Sequence, residues 1–483
     1  MRCLNKERVS IRVERMRLPG QHSSQQEDTL SVPSSHTLDR LDIVFDDRHL
    51  VADAGLLLPA TLSQHLGLTQ LMEQHVDLGD RPGHAHVGAK ALTLIGSALA
   101  GGDCIDDADA LRAGGAEVVL GHRVLAPSTL GTFLRSFTKD HVKQLDAVSG
   151  EALKRAWQAG AGPGERPLTI DLDSTITETY GPLKEGAQEF TYTKVRGYHP
   201  LLATAAESSE ILHSRLREGR ANSGRGADSF VSETLLRVRR AGACGPLLLR
   251  ADSGFYSKTV VQACRRHKCR FSITAKVNKA MWSAIEAISE EAWTPIPYWL
   301  EGAADVAEIP YLAFAHRNNG KQVGGYQVRL IVRRVQPTPG SQLQLRGVLY
   351  TYHAFITDRE GPTLQLEADH RRHAVVENAI RDLKYGMGLN HLPSGKFGAN
   401  AAWLALNVLA HNLARWLTRL VFGPIVLSTK RLRRRLFAMP GRLVARAGRQ
   451  RRLRLPQHWP WEEEFRTAAA RLRAIPGMPL LPT

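Results

Sequence analysis

Pro246-Leu-Leu-Leu-Arg-Ala-Asp252-Ser-Gly-Phe255 is the stretch whose reading decides the fold. Its apolar run is too short for a globular helix and too continuous for a half-exposed strand. That leaves a strand buried on both faces, the kind found in parallel sheets. Asp252 closes the strand, and Ser253-Gly254 supplies the turn that sends the chain back. Open α/β sheets hold their ligands at the carboxyl ends of such strands, so an acid at this point is a candidate functional group. Upstream, Pro167-Leu-Thr-Ile-Asp-Leu-Asp173 reads as a second strand, with Asp171 and Asp173 alternating onto one face. Further strands are predicted over Gln188–Lys194, Leu201–Leu212 and Cys269–Val277. Phe230, Thr234, Leu235 and Val238 give Ala227–Ala241 a helical period, and Ser257 can cap a helix running to about His267. Strands first, then alternating helix and strand, predict an α/β core built on a mixed sheet.

The flanks have a different character. Residues 1–40 are polar and read as a disordered segment, and 41–160 as a helical, DNA-binding domain. Its helices are predicted over Pro59–Met72, Ala89–Ala100 and Thr129–Trp157, with Ser128 or Thr129 as a cap. Ala161-Gly162-Pro163-Gly164 is a linker into the first part of the core, 165–279. Residues 280–360 read as a β-rich insertion with strands over Tyr326–Val335 and Gly347–Thr357. Helices return over 361–425, and 426–483 is a basic C-terminal segment. The most apolar stretch, Ala401–Phe422, carries Asn407, His411, Arg415 and Arg419 at helical spacing. Those groups are costly in lipid, so the expectation is one polar stripe on a buried helix and no membrane span.

Charge points to the partner. Across 483 residues, 64 Lys and Arg face 47 acids, a net charge of +17, which favours a polyanion and above all nucleic acid. Arg433, Arg434 and Arg435 head an arginine-rich stretch suited to tracking phosphates. The five cysteines are scattered without a CxxC pair, which suits a reducing cytoplasm and excludes a disulfide framework. Cys264, His267 and Cys269 lack a second ligand pair, so zinc is not expected.

A third acid lies in His370-Arg-Arg-His-Ala-Val-Val-Glu377-Asn-Ala-Ile-Arg-Asp-Leu-Lys384. At about 100° per residue, His370, His373, Glu377 and Lys384 fall on one stripe. A single carboxylate in a basic setting, flanked by Arg371 and Arg381, suits a DNA backbone held beside a metal site. Converging carboxylates bind Mg²⁺, for which Mn²⁺ substitutes, and a pair of such ions serves in-line phosphodiester displacement. Each acid alone has an ordinary explanation as a turn, cap or ion-pair residue.

Together the motifs resemble a known family. Asp171-Leu-Asp-Ser-Thr175, the run from Tyr180-Gly to Gln188, Gly197-Tyr-His-Pro-Leu201, Ala251-Asp-Ser-Gly-Phe255 and Glu377-Asn378 through Lys384 come in the order of the insertion-sequence-1380 transposases. The resemblance covers about residues 45–425 and implies a DDE transposase with a ribonuclease-H-like core. It also implies a β-rich insertion before the last catalytic helix, and a homodimer assembled on element-end DNA in the bacterial cytoplasm. It makes Asp173, Asp252 and Glu377 the catalytic, metal-binding acids, with Asp171 the second choice for the first. The wider branch carries Tyr-x₂-Arg-x₃-Glu-x₆-Lys; here His370 and His373 stand at the Tyr and Arg positions, while Lys384 is kept. A tryptophan of the insertion stacks on an extruded base in related enzymes, which makes Trp299, Trp282 or Trp293 candidates. Two rivals remain: a DNA-binding protein without chemistry, and a haloacid-dehalogenase-like phosphatase with Asp171 as nucleophile.

Overall fold

The computed structural model describes residues 41–80, 84–181, 183–187, 190–191, 193–222, 224–297, 304–318, 321–338, 340–345, 349–445 and 451–477. The expected disordered segment 1–40 and Trp299 lie outside the described residues.

A nine-stranded mixed sheet runs through the molecule. Its strands are β1 Leu168–Ser174, β2 Leu201–Ala205, β3 Ile211–Arg215, β4 Leu247–Ala251, β5 Cys269–Thr274, β6 Thr294–Pro295, β7 Ala304–Ala313, β8 Tyr326–Val335 and β9 Thr351–Thr357. The spatial order is β3-β2-β1-β4-β5-β9-β8-β7-β6. β1, β4 and β5 are parallel to one another, and every other neighbouring pair is antiparallel. The three parallel strands occupy the middle, where Ile170, Leu172, Leu249, Ala251, Phe271 and Ile273 are buried. This is the burial that continuous apolar runs dictate. The stretch 280–360 supplies β6 to β9 and continues the same sheet, because β9 pairs directly with β5.

The helices that position the site are α1 Val87–Ala100, α2 Lys139–Ala156, α3 Ala227–Ala241, α4 Lys258–Arg266, α5 Thr363–Arg371, α6 Val376–Gly386 and α7 Phe397–Phe422. Ser257 caps α4 as its sequence suggested, accepting from Val260 N–H at 3.2 Å. Other expectations shift. The single strand expected over Leu201–Leu212 is the hairpin β2–β3. The helix expected over Pro59–Met72 breaks at Gly67, whose φ of 65° is left-handed. The helix expected over Thr129–Trp157 divides before Thr138, which forms a capping box with His141. Neither Ser128 nor Thr129 caps the preceding helix; it starts at Pro127, whose fixed φ suits a first helical position.

α7 is 26 residues long and buried nearly all round, packing against α1, α2 and β3. Its polar stripe is engaged in part, since Asn407 Nδ2 and His411 Nδ1 are buried without a hydrogen-bond partner among the described residues. Asn412 exchanges bonds with the backbone of Ile211 at 2.8 Å each, and His411 Nε2 lies 2.8 Å from the Ser209 carbonyl. Glu210, between them at the β2–β3 turn, is a clamp. It accepts from Trp416 Nε1 at 2.6 Å, from Trp157 Nε1 at 3.2 Å and from Ser208 at 3.0 Å. One carboxylate therefore joins the end of the α2 region, the sheet edge and α7. No helix among the described residues is long and apolar enough to cross a membrane.

Burial keeps several histidines neutral, among them His411, His370 and His213. Burial holds His411 down to about 4 and His370 to about 3, and pushes His213 well below its usual value. The unfolded chain then binds protons that the fold refuses. Stability is therefore complete above about 6.5 and lost as pH falls toward the folded values. The stability advantage of wild type over His370→Gln should shrink by about 2 kcal/mol between pH 6.5 and 4.5. Paired urea titrations read this directly, and an unchanged gap would contradict it.

Candidate active site

β1 and β4 are adjacent and parallel, with Leu172 opposite Ala251. That register sets Asp173 beside Asp252, the residue following β4, at the carboxyl end of the sheet. Their orientation is fixed locally: Ser174 N–H donates to Asp173 Oδ1 at 2.6 Å and Gly254 N–H to Asp252 Oδ1 at 3.0 Å. Glu377 arrives from the first turn of α6, exposed to solvent. The charges of Asp252 and Glu377 are felt at Asp173. Burial, and after it those charges, push the Asp173 carboxyl up to about 6. Burial also raises Asp252, against the pull of the Gly254 N–H and of His373 and His199.

The ligand atoms of Asp173, Asp252 and Glu377 do not all lie within 4.8 Å of one another. Among the described residues, the one group of three candidate ligand residues with all ligand atoms within 4.8 Å is Asp103, Cys104 and Asp107. There Asp107 Oδ2 accepts the N–H groups of Asp103 and Cys104 at 2.9 and 3.1 Å, the pattern of a tight turn.

Asp171 has a different position from Asp173. It is 1% exposed, and both its oxygens accept from the Arg250 guanidinium, at 2.7 Å from Nε and 2.8 Å from Nη2. Arg250 also donates to the Asp369 carbonyl at 2.6 Å, and His373 Nδ1 lies 3.1 Å from Asp171 Oδ1. The carboxylate that a phosphatase reading needs as nucleophile is thus occupied by a guanidinium and an imidazole.

The basic residues around the glutamate separate into groups. Lys384 donates to the Ile176 carbonyl at 2.7 Å, tying α6 to the loop after Asp173, and burial lowers its pKa. Arg381 is exposed and bonded to Asn378. Arg371 lies 3.2 Å from Glu367. His370 does not share the stripe. A 3₁₀ turn over Arg372–Val375 separates α5 from α6, and with three residues per turn it rotates His370 toward the sheet. There its Nδ1 and Nε2 lie 2.8 and 3.0 Å from the hydroxyls of Ser272 and Thr274, and its ring stacks on Phe355 at 4.0 Å. With both nitrogens engaged, it has nothing to offer a DNA backbone.

Trp282 is partly exposed and edge-on to Tyr352 at 5.4 Å, while Trp293 lies under the Arg334 guanidinium at 4.4 Å. In the basic segment, Arg434 is exposed and Arg435 lies over Trp461 at 5.6 Å. Arg433 is turned inward, donating to the carbonyls of Leu99 at 2.8 Å, Ala98 at 2.9 Å and Gly386 at 2.6 Å. It closes the ends of α1 and α6, where carbonyls lack helical partners.

Sequence reasoning missed Arg250 and His199. A lone arginine in Leu-Leu-Leu-Arg-Ala was the available signal, since a charge in a buried strand requires a partner. His199 is fully buried, with Nδ1 2.6 Å from the Ala221 carbonyl and Nε2 2.9 Å from Ser174 Oγ. It backs the loop that carries Asp173.

The family described as "Transposase DDE domain group 1" matches residues 35–477. No curated protein matches the chain. Among solved structures, the cryo-EM structure of a piggyBac transposase synaptic complex with hairpin DNA is similar at 12% identity and a TM-score of 0.43. That similarity covers 89% of this chain and 83% of the other.

Proposed function

The chain belongs to the DDE-domain transposases of group 1, and on that premise we propose that it nicks the ends of an insertion sequence and joins the freed 3′-hydroxyl to target DNA. The observation that carries this reading is the pairing of Asp173 and Asp252 on adjacent parallel strands, with Glu377 close enough for its charge to act on Asp173. The strand order β3-β2-β1-β4-β5, with β1, β4 and β5 parallel, supports a ribonuclease-H-like core. The motif order supports membership of the insertion-sequence-1380 branch.

The donor set suits hard divalent ions. All three acids offer oxygen, and Asp173 is half-buried, its carboxyl raised to about 6 by burial first and then by the charges of Asp252 and Glu377. Asp173, Asp252 and Glu377 would hold Mg²⁺, or Mn²⁺ in its place. When bound, such ions activate an attacking oxygen and stabilise the leaving one, and two of them suit carboxylates spread more widely than a single ion requires. The protein's share is positioning. The Ser174 and Gly254 N–H groups aim two carboxylates, Lys384 holds α6 against the first acid's loop, and the Asp171–Arg250 pair locks β1 to β4. Arg371, Arg381, Arg434 and Arg435 are the arginines we assign to the DNA backbone, which they would hold without reading sequence. The helical 41–160 region is the proposed end-binding domain, and the active form a homodimer on paired ends.

Incubation with a supercoiled plasmid carrying the inverted repeats that flank the reading frame tests this. Divalent-metal-dependent nicks with 3′-hydroxyls at the repeat boundary are expected. Equal nicking of a plasmid without the repeats would refute the reading.

Metal and proton should compete. Asp173 rises on folding, so its contribution to stability is present below the unfolded value of 3.8 and lost as pH climbs through about 6. Above that, the uncompensated charge destabilises the metal-free fold, and a divalent ion relieves it. Mn²⁺ should therefore raise the melting temperature at pH 7.5, with the increment shrinking as pH is lowered through about 6. An increment independent of pH would argue against Asp173 as a ligand.

A further inference from the structure

His373 occupies a place that an all-oxygen site does not explain. It lies in the 3₁₀ turn that leads into α6, four residues ahead of Glu377. Its Nδ1 lies 3.1 Å from Asp171, a carboxylate removed from solvent and held by two bonds from Arg250. Arg250 is in turn bonded to the backbone of Asp369, in the helix that leads to His373. The ring is therefore gripped from one side by a rigid, buried bracket. That contact makes Nδ1 the protonated nitrogen of the neutral ring and leaves Nε2 with its lone pair. Nε2 has no hydrogen-bond partner in the protein among the described residues. Asp171 and Asp173 alternate onto one face of β1, so the ring bonded to Asp171 stands on the side of the sheet that carries Asp173, with Nε2 the nitrogen left over. A carboxylate that fixes the far nitrogen of an imidazole is the usual support of a metal-ligating histidine. A DNA phosphate contact would call for an exposed, mobile cation, and the His373 side chain is only 14% exposed.

We propose that His373 Nε2 is a nitrogen ligand of the divalent-metal centre, alongside Asp173, Asp252 and Glu377, with Asp171 and Arg250 as its positioning residues. The inference rests on the three-acid metal site proposed above and changes its chemistry. An imidazole among carboxylates favours Mn²⁺ and later first-row ions over Mg²⁺ and Ca²⁺, which prefer oxygen. The site is then selective by ligand type rather than by charge alone.

Pulsed electron paramagnetic resonance of the full chain loaded with Mn²⁺ tests this without reference to cleavage. Wild type should show nitrogen modulation that changes to the ¹⁵N pattern when only its histidines are ¹⁵N-labelled, which needs no mutant and so no refolding control. His373→Gln should lose the modulation and bind Mn²⁺ about 10–100-fold more weakly, with Mg²⁺ binding changed less than about threefold. Asp171→Asn should give an intermediate loss of Mn²⁺ affinity, because the bracket is loosened rather than removed. If wild type binds Mn²⁺ through oxygen and water alone, and Asp252→Asn still abolishes that binding, the three-acid site stands and His373 is not a ligand. If Mn²⁺ does not bind wild type, or binds Asp252→Asn equally well, the three-acid reading falls and this inference with it.

Discussion

Asparagine at position 252 is expected to slow end cleavage by about 10³-fold or more, while DNA binding and the fold survive. Asp252 does no structural work that asparagine cannot do. Its carboxylate accepts from the backbone, chiefly the Gly254 N–H at 3.0 Å and also Phe255, and an amide oxygen accepts these equally well. What asparagine loses is the charge, and a neutral oxygen is a poor ligand for a hard dication. The same substitution at Asp173 should have a second effect. Its carboxyl is driven from 3.8 to about 6 by burial and by its acidic neighbours, so neutralising it relieves up to about 3 kcal/mol of unfavourable charge at neutral pH. Activity falls and metal-free stability rises together, the usual sign that a fold tolerates a cost for its function. Asp171→Asn should do the reverse, lowering stability by stranding Arg250 with half its ion pair. Cleavage assays beside thermal melts of the three variants decide the matter. If Asp173→Asn cuts normally while Asp171→Asn is stable and inert, the first acid has been misassigned.

The largest effect on stability is expected at Asp382, on the face of α6 away from the chemistry. It accepts from the buried guanidinium of Arg415 on α7, from Thr429 N–H at 2.9 Å and from Thr429 Oγ1 at 2.6 Å. Arg415 is 4% exposed. Alanine at 382 leaves that cation in the core with no counter-charge, a change worth about 3–5 kcal/mol. It also frees the helix that presents Glu377, so the surviving folded fraction should cut poorly. Leucine at 382 with methionine at 415 removes both charges and should recover most of the loss, since the cost lies in the orphaned partner. Urea midpoints of the single and double variants measure this. A double variant no better than Asp382→Ala would mean that the Thr429 bonds carry the energy.

Much of this arrangement was legible before any coordinates. The continuous apolar runs ending in Asp173 and Asp252 forecast central strands with acids at their carboxyl ends, because burial on both faces leaves a recognisable composition. Ser257 capped the helix its position suggested, and His411 and Arg415 of the long apolar helix found internal partners, while Asn407 Nδ2 is buried without one among the described residues. The failures share a cause. The stripe through His370 assumed one straight helix, and four residues of 3₁₀ geometry moved that ring from the site into the sheet. Arg433 looked like one more surface cation; its three carbonyl partners come from segments distant in the chain, and no local pattern encodes them. Local propensity sets elements, while pairings across hundreds of residues are set by packing.

Anchoring α6 through Thr429 and Arg433 has a consequence for biosynthesis. At about 5–20 residues per second, a ribosome reaches Arg433 at least about 10 s after it has added Asp173. Until then the helix bearing Glu377 lacks the carbonyl closure and the Asp382 partner that hold it in place. Translation products terminated before Arg433 should therefore lack a fixed Glu377 helix and be silent in a cleavage assay.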